Sequence, residues 1–197
     1  MKIEYMPINK VIGIHNGSIT KYDGDAIVIP ANPDLDYTGM GAQNIVARDG
    51  GSEIFREALE VADKYAKRYG YSDINGLQGK VPLFSAHMTN AGRLAVKKVV
   101  HSVAFDYDEE KGLYCDKDII SESTRNVLEL GKKNKLNSIG FTPLGTLHGV
   151  TLEDSVETMT KEFENHLIGD TSLQQLDIVL FGKYPYLKAC SHLKEIM

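Results

Sequence analysis

Five apolar runs, several of them rich in β-branched residues, at positions 10–15, 25–29, 97–105, 138–141 and 176–181, are separated by segments with helical spacing. Runs such as Ala26-Ile27-Val28-Ile29 lack the in-out alternation of a half-exposed strand, which predicts strands buried on both faces. Strands of that kind need helices above and below them, and right-handed strand-helix-strand crossovers supply both layers. Three apolar stripes at helical spacing fit the requirement. They are Phe55, Ala58, Ala62, Tyr65 and Tyr69; Ile120, Thr124, Val127, Leu128 and Gly131; and Leu152, Val156, Met159, Phe163 and Leu167. The chain therefore predicts an α/β fold with helices on both faces of a mostly parallel sheet. No period of about 20 to 50 residues recurs, which excludes a repeat architecture.

A chain of 197 residues can bury one substantial core, and no Pro/Gly/Ser-rich linker divides it, so a single domain over residues 1–197 is expected. No apolar stretch approaches the roughly 18 residues of a membrane span, and Met1-Lys2-Ile3-Glu4 leads into no signal-peptide core; a soluble, cytoplasmic protein is expected. Cys115 and Cys190 are too few for a disulfide scaffold and lack zinc-site spacing, so both are read as free thiols, with no metal and no cofactor implied. The net charge of −5 argues against a broad phosphate-binding surface and against a nucleic-acid partner. Lys132-Lys133-Asn134-Lys135 reads as a cationic helix end that complements the dipole. The acidic, glycine-broken stretch at 106–116 reads as a solvated loop, with a flap over a site as the alternative.

Two strand-to-helix turns carry glycine: Thr38-Gly39-Met40-Gly41-Ala42, before a helix beginning near Gln43, and Pro143-Leu144-Gly145-Thr146-Leu147-His148-Gly149. In an open α/β sheet, ligands sit beyond the carboxyl ends of the strands. Glycine permits positive φ and close approach to the main chain, and a helix start offers unpaired N–H groups and the positive end of the dipole. Two such loops at one sheet edge suit a diphosphate held from both sides. Neither is a Walker A loop, and neither spells the dinucleotide fingerprint, so hydride chemistry on a nicotinamide is disfavoured. Asn32 lies between the apolar run and the first loop. Its amide could meet the hydroxyls of a ribose or could simply form the Asn-Pro turn.

In order and spacing these segments resemble the macro domain family, whose members bind ADP-ribose. The match runs from about Val11 to Phe181: "GSIT" from Gly17, "DAIVIPAN" ending at Asn32, "TGMGAQNIVARDGG" from Thr38, "MTNAGRLAVKKVVHSVA" from Met88 and "IGFTPLGTLHG" from Ile139. The resemblance implies a three-layer α/β/α sandwich around a mixed, mostly parallel sheet, with a cleft for ADP-ribose. It puts Ala31 and Asn32 at the distal ribose, Gly39, Met40, Gly41 and Ala42 on one side of the diphosphate, and Gly145, Thr146, Leu147, Gly149 and Val150 on the other. Ser18 and Ile19 fall beside the adenine, and Phe181 falls where an aromatic stacks on that base, buried core being its alternative.

The chain also departs from the family pattern. Ser18 replaces the acid that receives the adenine amino group, a change worth about 1 kcal/mol in charge assistance. Gln43 stands where hydrolytic members often carry an acid, Met40 interrupts the first glycine run, and the second loop lacks the usual glycine after Thr146. His148 takes the place of an aromatic over the distal ribose and is, with Asn32, the candidate catalytic group. His87 and His101 read as structural histidines. The expectation is a binder of ADP-ribose or a related nucleotide diphosphate. Any catalysis would be hydrolysis of an ADP-ribose 1″-phosphate, an O-acetyl ester or an ADP-ribosylated protein partner. The alternatives are a phosphomonoesterase using His148 and a non-catalytic module that binds nucleotide or poly(A).

Overall fold

The computed structural model describes residues 1–5, 10–74, 77–110 and 112–196. Within these residues, the strands β1 (Lys2–Tyr5), β2 (Lys10–Asn16), β3 (Ala26–Ala31), β6 (Ala86–Asn90), β7 (Lys98–Val103), β10 (Ser138–Phe141) and β11 (Gln175–Leu180) make one sheet. Its order is β1-β2-β11-β10-β3-β7-β6. The pairs among β2, β11, β10, β3 and β7 are all parallel, and only the outer strands β1 and β6 run antiparallel to their neighbours. The five parallel strands are those the apolar runs predict. The two outer ones escape that reading because an edge strand is wetted and its sequence, as in Ala-His-Met-Thr-Asn of β6, need not be apolar.

Alternate residues of β3 face different layers. Ala26 and Val28 join a core with Val127 and Leu128 of α3 (Lys117–Lys133), Val156 and Phe163 of α4 (Leu152–Ile168) and Leu193 of α5 (Lys183–Ile196). Ile27 and Ile29 pack with Val46 of α1 (Gly41–Gly50) and Ile54 and Phe55 of α2 (Glu53–Tyr69). The result is an α/β/α sandwich with a mixed, mostly parallel sheet. Asp116 caps α3 by accepting from the Ile119 N–H, and Thr151 caps α4 by accepting from the Asp154 N–H. No helix among the described residues is long and apolar enough to cross a membrane.

Several expectations are corrected. Tyr69 is 63% exposed and stacks on Tyr65 rather than joining the α2 core face. The first glycine loop passes into α1 at Gly41, two residues before Gln43. The stretch at 106–116 is not a plain solvated loop: β8 (Asp106–Asp108) and β9 (Gly112–Tyr114) pair as a hairpin and Asp106 is buried, while Lys111 lies outside the described residues. A second small pair, β4 (Ser72–Ile74) with β5 (Leu77–Gly79), follows α2. Both cysteines are free and buried. His101 packs edge-on to Phe55 and His87 edge-on to Tyr65; burial pushes the His101 ring down to about 3, so it is neutral.

A carboxylate is buried in the middle of the sheet. Asp177 of β11 is fully buried beside Gly13 and Gly140, and a Cβ at Gly13 would collide with its carboxylate. The carboxylate accepts hydrogen bonds from His15 Nε2, the Tyr22 hydroxyl and Gln175 Nε2, each at 2.7 Å. Those three donors make burial tolerable. Tyr22 lies across Gly140, so the same carboxylate fixes the segment from Gly17 to Tyr22 against the sheet.

The hydrogen bond to Asp177 raises the His15 pKa above its ordinary 6.5, outweighing the opposing effect of burial. A folded pKa above the unfolded one adds stability that is fully present below 6.5 and is lost as pH rises through the folded value. Urea midpoints measured at about pH 5 and about pH 9 should fall further on the alkaline side in the wild type than in His15→Gln. Equal falls in both proteins would contradict this linkage.

Candidate ligand-binding cleft

β3 and β10 are hydrogen-bonded neighbours, and the chain leaves both at the same sheet edge. The loop after β3 turns with positive φ at Leu35, Gly39 and Gly41; the loop after β10 does so at Gly145 and Gly149. Gly145 is required twice over, because its φ is +77° and a Cβ there would lie 2.7 Å from Cys115 Sγ. The loops approach each other closely: a Cβ at Gly41 would sit 3.3 Å from Leu147 Cδ1.

A cavity lies on each side of this pinch. The first, of about 240 Å³, is lined by Ala31, Asn32, Asp34, Thr38, Met40, Gln43, Phe105, Asp106, Tyr107 and Leu113. The second, of about 360 Å³, is lined by Gly17, Ile19, Ile45, Thr142, Gly145, Thr146, Val179 and Phe181. Pro30, Gly41, Ala42, Leu147 and His148 line both and form the waist between them. Among the described residues no Lys or Arg lines either cavity. The positive potential at the waist comes instead from α1. Its N-cap is Met40, it has no side-chain cap and no acid in its first turn, whereas α2, α3 and α4 each carry an acid there. Its leading N–H groups and dipole are therefore available to an anion.

Most residues expected at the site gather here. Ala31, Asn32 and Met40 line the first cavity, Ile19, Gly145, Thr146 and Phe181 the second, and Gly41, Ala42, Leu147 and His148 both. Ser18, Gly39, Gly149 and Val150 line neither; Gly39 and Gly149 shape the loops, and Val150 packs against the main core. Phe181 is 78% exposed at the rim, which excludes the buried-core alternative. Asn32 lines the cavity and also forms the turn: its Oδ1 accepts from the N–H groups of Asp34 and Asp36, each at 3.2 Å, and its Nδ2 donates to the Asp36 carboxylate.

His148 stacks on Phe105 with ring centroids 4.5 Å apart. Its backbone N–H donates to the Gly145 carbonyl at 2.9 Å, and its backbone carbonyl accepts from the Cys115 N–H at 2.8 Å. Partial burial lowers its pKa below 6.5, so the ring is neutral and able to accept a proton at pH 7.

Two parts of the cleft differ from the first reading of the sequence. The β8–β9 hairpin supplies Asp106, Tyr107 and Leu113 as a wall, in line with the alternative of a segment over a site rather than with a solvated loop. Gln43, noted only as a missing acid, is a strut. It is buried, its Oε1 accepts from the Thr38 N–H and Thr38 hydroxyl at 2.8 Å each, and its Nε2 donates to the Pro30 carbonyl at 3.2 Å. A carboxylate could not make that last bond.

The sequence model described as "Macro domain" matches residues 28–159. An uncharacterized protein of Aquifex aeolicus is 32% identical over 152 residues, 77% of this chain and 79% of its own length. A Cronobacter turicensis protein named O-acetyl-ADP-ribose deacetylase is 30% identical over 181 residues, 89% of this chain and 92% of its own. The Trypanosoma brucei macrodomain, solved in complex with ADP-ribose, superposes with a TM-score of 0.73 at 22% identity, covering 92% of this chain and 68% of that one.

Removing the strut should loosen the first loop. Gln43→Ala leaves Thr38 and the Pro30 carbonyl without partners and should cost about 1–3 kcal/mol in denaturant unfolding. Gln43→Glu should cost at least as much, because it sets a carboxylate against a carbonyl. A Glu variant as stable as wild type would show that the amide donor is dispensable.

Proposed function

The chain belongs to the macro domain family, and on that premise we propose that its two cavities and the waist between them form a single ADP-ribose site. The observation that carries this reading is the uncapped start of α1 at a cation-free waist, with one cavity on either side. A ligand with a central diphosphate and a ring system at each end matches that arrangement. The diphosphate takes N–H groups from Gly39, Met40, Gly41 and Ala42 on one side and from the Gly145–Val150 loop on the other. Adenine lies along Ile19 and Val179 under Phe181, and the distal ribose enters the first cavity beside Ala31 and Asn32. The protein acts as one cytoplasmic domain, on free ADP-ribose derivatives and on ADP-ribosylated proteins.

Hydrolysis of an ADP-ribose ester is the chemistry this site supports best, in line with the name of the Cronobacter relative. Water is held between the distal ribose, Asn32 and a diphosphate oxygen, and neutral His148 takes its proton. Positioning and electrostatics then supply most of the rate. With Gln43 fully engaged by Thr38 and Pro30, no acid of α1 takes part.

Calorimetric titration with ADP-ribose, ADP and AMP tests the binding half. ADP-ribose should bind most tightly, and Asn32→Ala should weaken it about tenfold; no heat with ADP-ribose at millimolar ligand would sink the reading. For catalysis, His148→Ala should slow deacetylation of O-acetyl-ADP-ribose by about 10²–10⁴, far more than it weakens ADP-ribose binding. The wild-type rate should rise with pH through an inflection below 6.5, as the base form of His148 accumulates. Turnover of a simple phosphomonoester that ADP-ribose does not inhibit would favour the phosphatase alternative.

A further inference from the structure

Three large apolar side chains that the fold leaves exposed meet at the first cavity. Met40 of the first glycine loop is 58% exposed, Leu147 of the second 65%, and Leu113 of the β8–β9 hairpin 47%. Apolar surface gathered from three separate segments round one cavity marks a place that a ligand covers. Pro33, Phe105 and Tyr107 continue the same wall. The polar side chains beside them are turned to the protein. Asn32 holds its own turn, Gln43 and Thr38 bond each other, and Asp106 accepts from the Tyr107 N–H at 2.7 Å and the Tyr114 hydroxyl at 3.3 Å. Much of what this cavity offers a ligand is therefore hydrocarbon. Bare ADP-ribose does not use it: its diphosphate takes the backbone of Met40 and of the Gly145–Val150 loop, and a ribose covered in hydroxyls gains little from an apolar rim.

We propose that this rim is an acyl subsite: an ester on the distal ribose lays its hydrocarbon chain against Leu113, Met40 and Leu147, so that the cleft prefers acyl chains longer than acetyl. This rests on the ADP-ribose reading. Leu113 and Met40 determine which ester binds and take no part in breaking its bond. Each further methylene buried against hydrocarbon is worth about fourfold in affinity.

The test measures dissociation constants of ADP-ribose and of two unreactive amide analogues, with an acetamido or a butyramido group in place of a distal-ribose hydroxyl, on wild type, Leu113→Ser and Met40→Ser. Wild type should bind the butyramide about tenfold more tightly than the acetamide, the two differing by a pair of methylenes. In each serine variant the ratio should fall to about threefold or less, chiefly by weaker binding of the butyramide. A general loosening of the loops weakens both analogues alike and leaves the ratio unchanged. Equal affinities of the two analogues for wild type, as expected if the rim met apolar residues of an ADP-ribosylated protein instead, overturn the inference alone. So does a ratio kept in both variants. No ADP-ribose binding to wild type overturns the ADP-ribose reading, and the inference with it.

Discussion

The parallel pairing of five strands buried on both faces is the constraint from which the cleft follows. Parallel neighbours bring their carboxyl ends to one edge, so every strand-to-helix loop opens on the same side. β3 and β10 are adjacent, yet the chain leaves them in opposite directions: β3 leads to α1 and α2 on one face, β10 to α4 on the other. A crevice must open between two loops that part in this way. The glycines lie in those loops because there the backbone turns with positive φ while nearly touching its neighbour, as Gly41 does Leu147 and Gly145 does Cys115.

How much of this could be read from sequence depended on whether the determining contact was local. Strands buried twice over announce themselves as unbroken apolar runs, so β2, β3, β7, β10 and β11 were legible. The edge strands β1 and β6 were not, since one side of each meets water. Both glycine loops were legible because positive φ leaves a compositional mark. The acidic residues of the β8–β9 hairpin favoured a solvated loop over the alternative of a segment covering a site, although buried Asp106 is part of the wall. Nothing near α5 marked it as a helix that would place Ala189 and Leu193 in the core.

Gln43 and Ser18 carry the same lesson at the level of chemistry. Read alone, each is an acid that has been lost. In the fold, Gln43 donates to the carbonyl at the end of β3 while accepting twice from Thr38, work that needs an amide. Ser18 is bound to Asp49 through Thr20, and Asp49 lies 31 residues away along the chain on a helix that packs against the same turn. Partners that far apart leave no periodicity or spacing for a sequence to show.

Charge also decides where an anion can sit in a protein of net charge −5. Asp34 and Asp106 line the first cavity, and no Lys or Arg among the described residues lines it with them. The start of α1 is the nearest positive pole, and it faces the waist. In the binding mode proposed above, the diphosphate takes the waist and the first cavity takes the uncharged sugar. In the hydrolysis proposed above, the proton of the attacking water goes to a base that is neutral beforehand. His148, stacked on Phe105 at the boundary of both cavities and kept neutral by burial, meets that condition, and a carboxylate in the place of Gln43 would not.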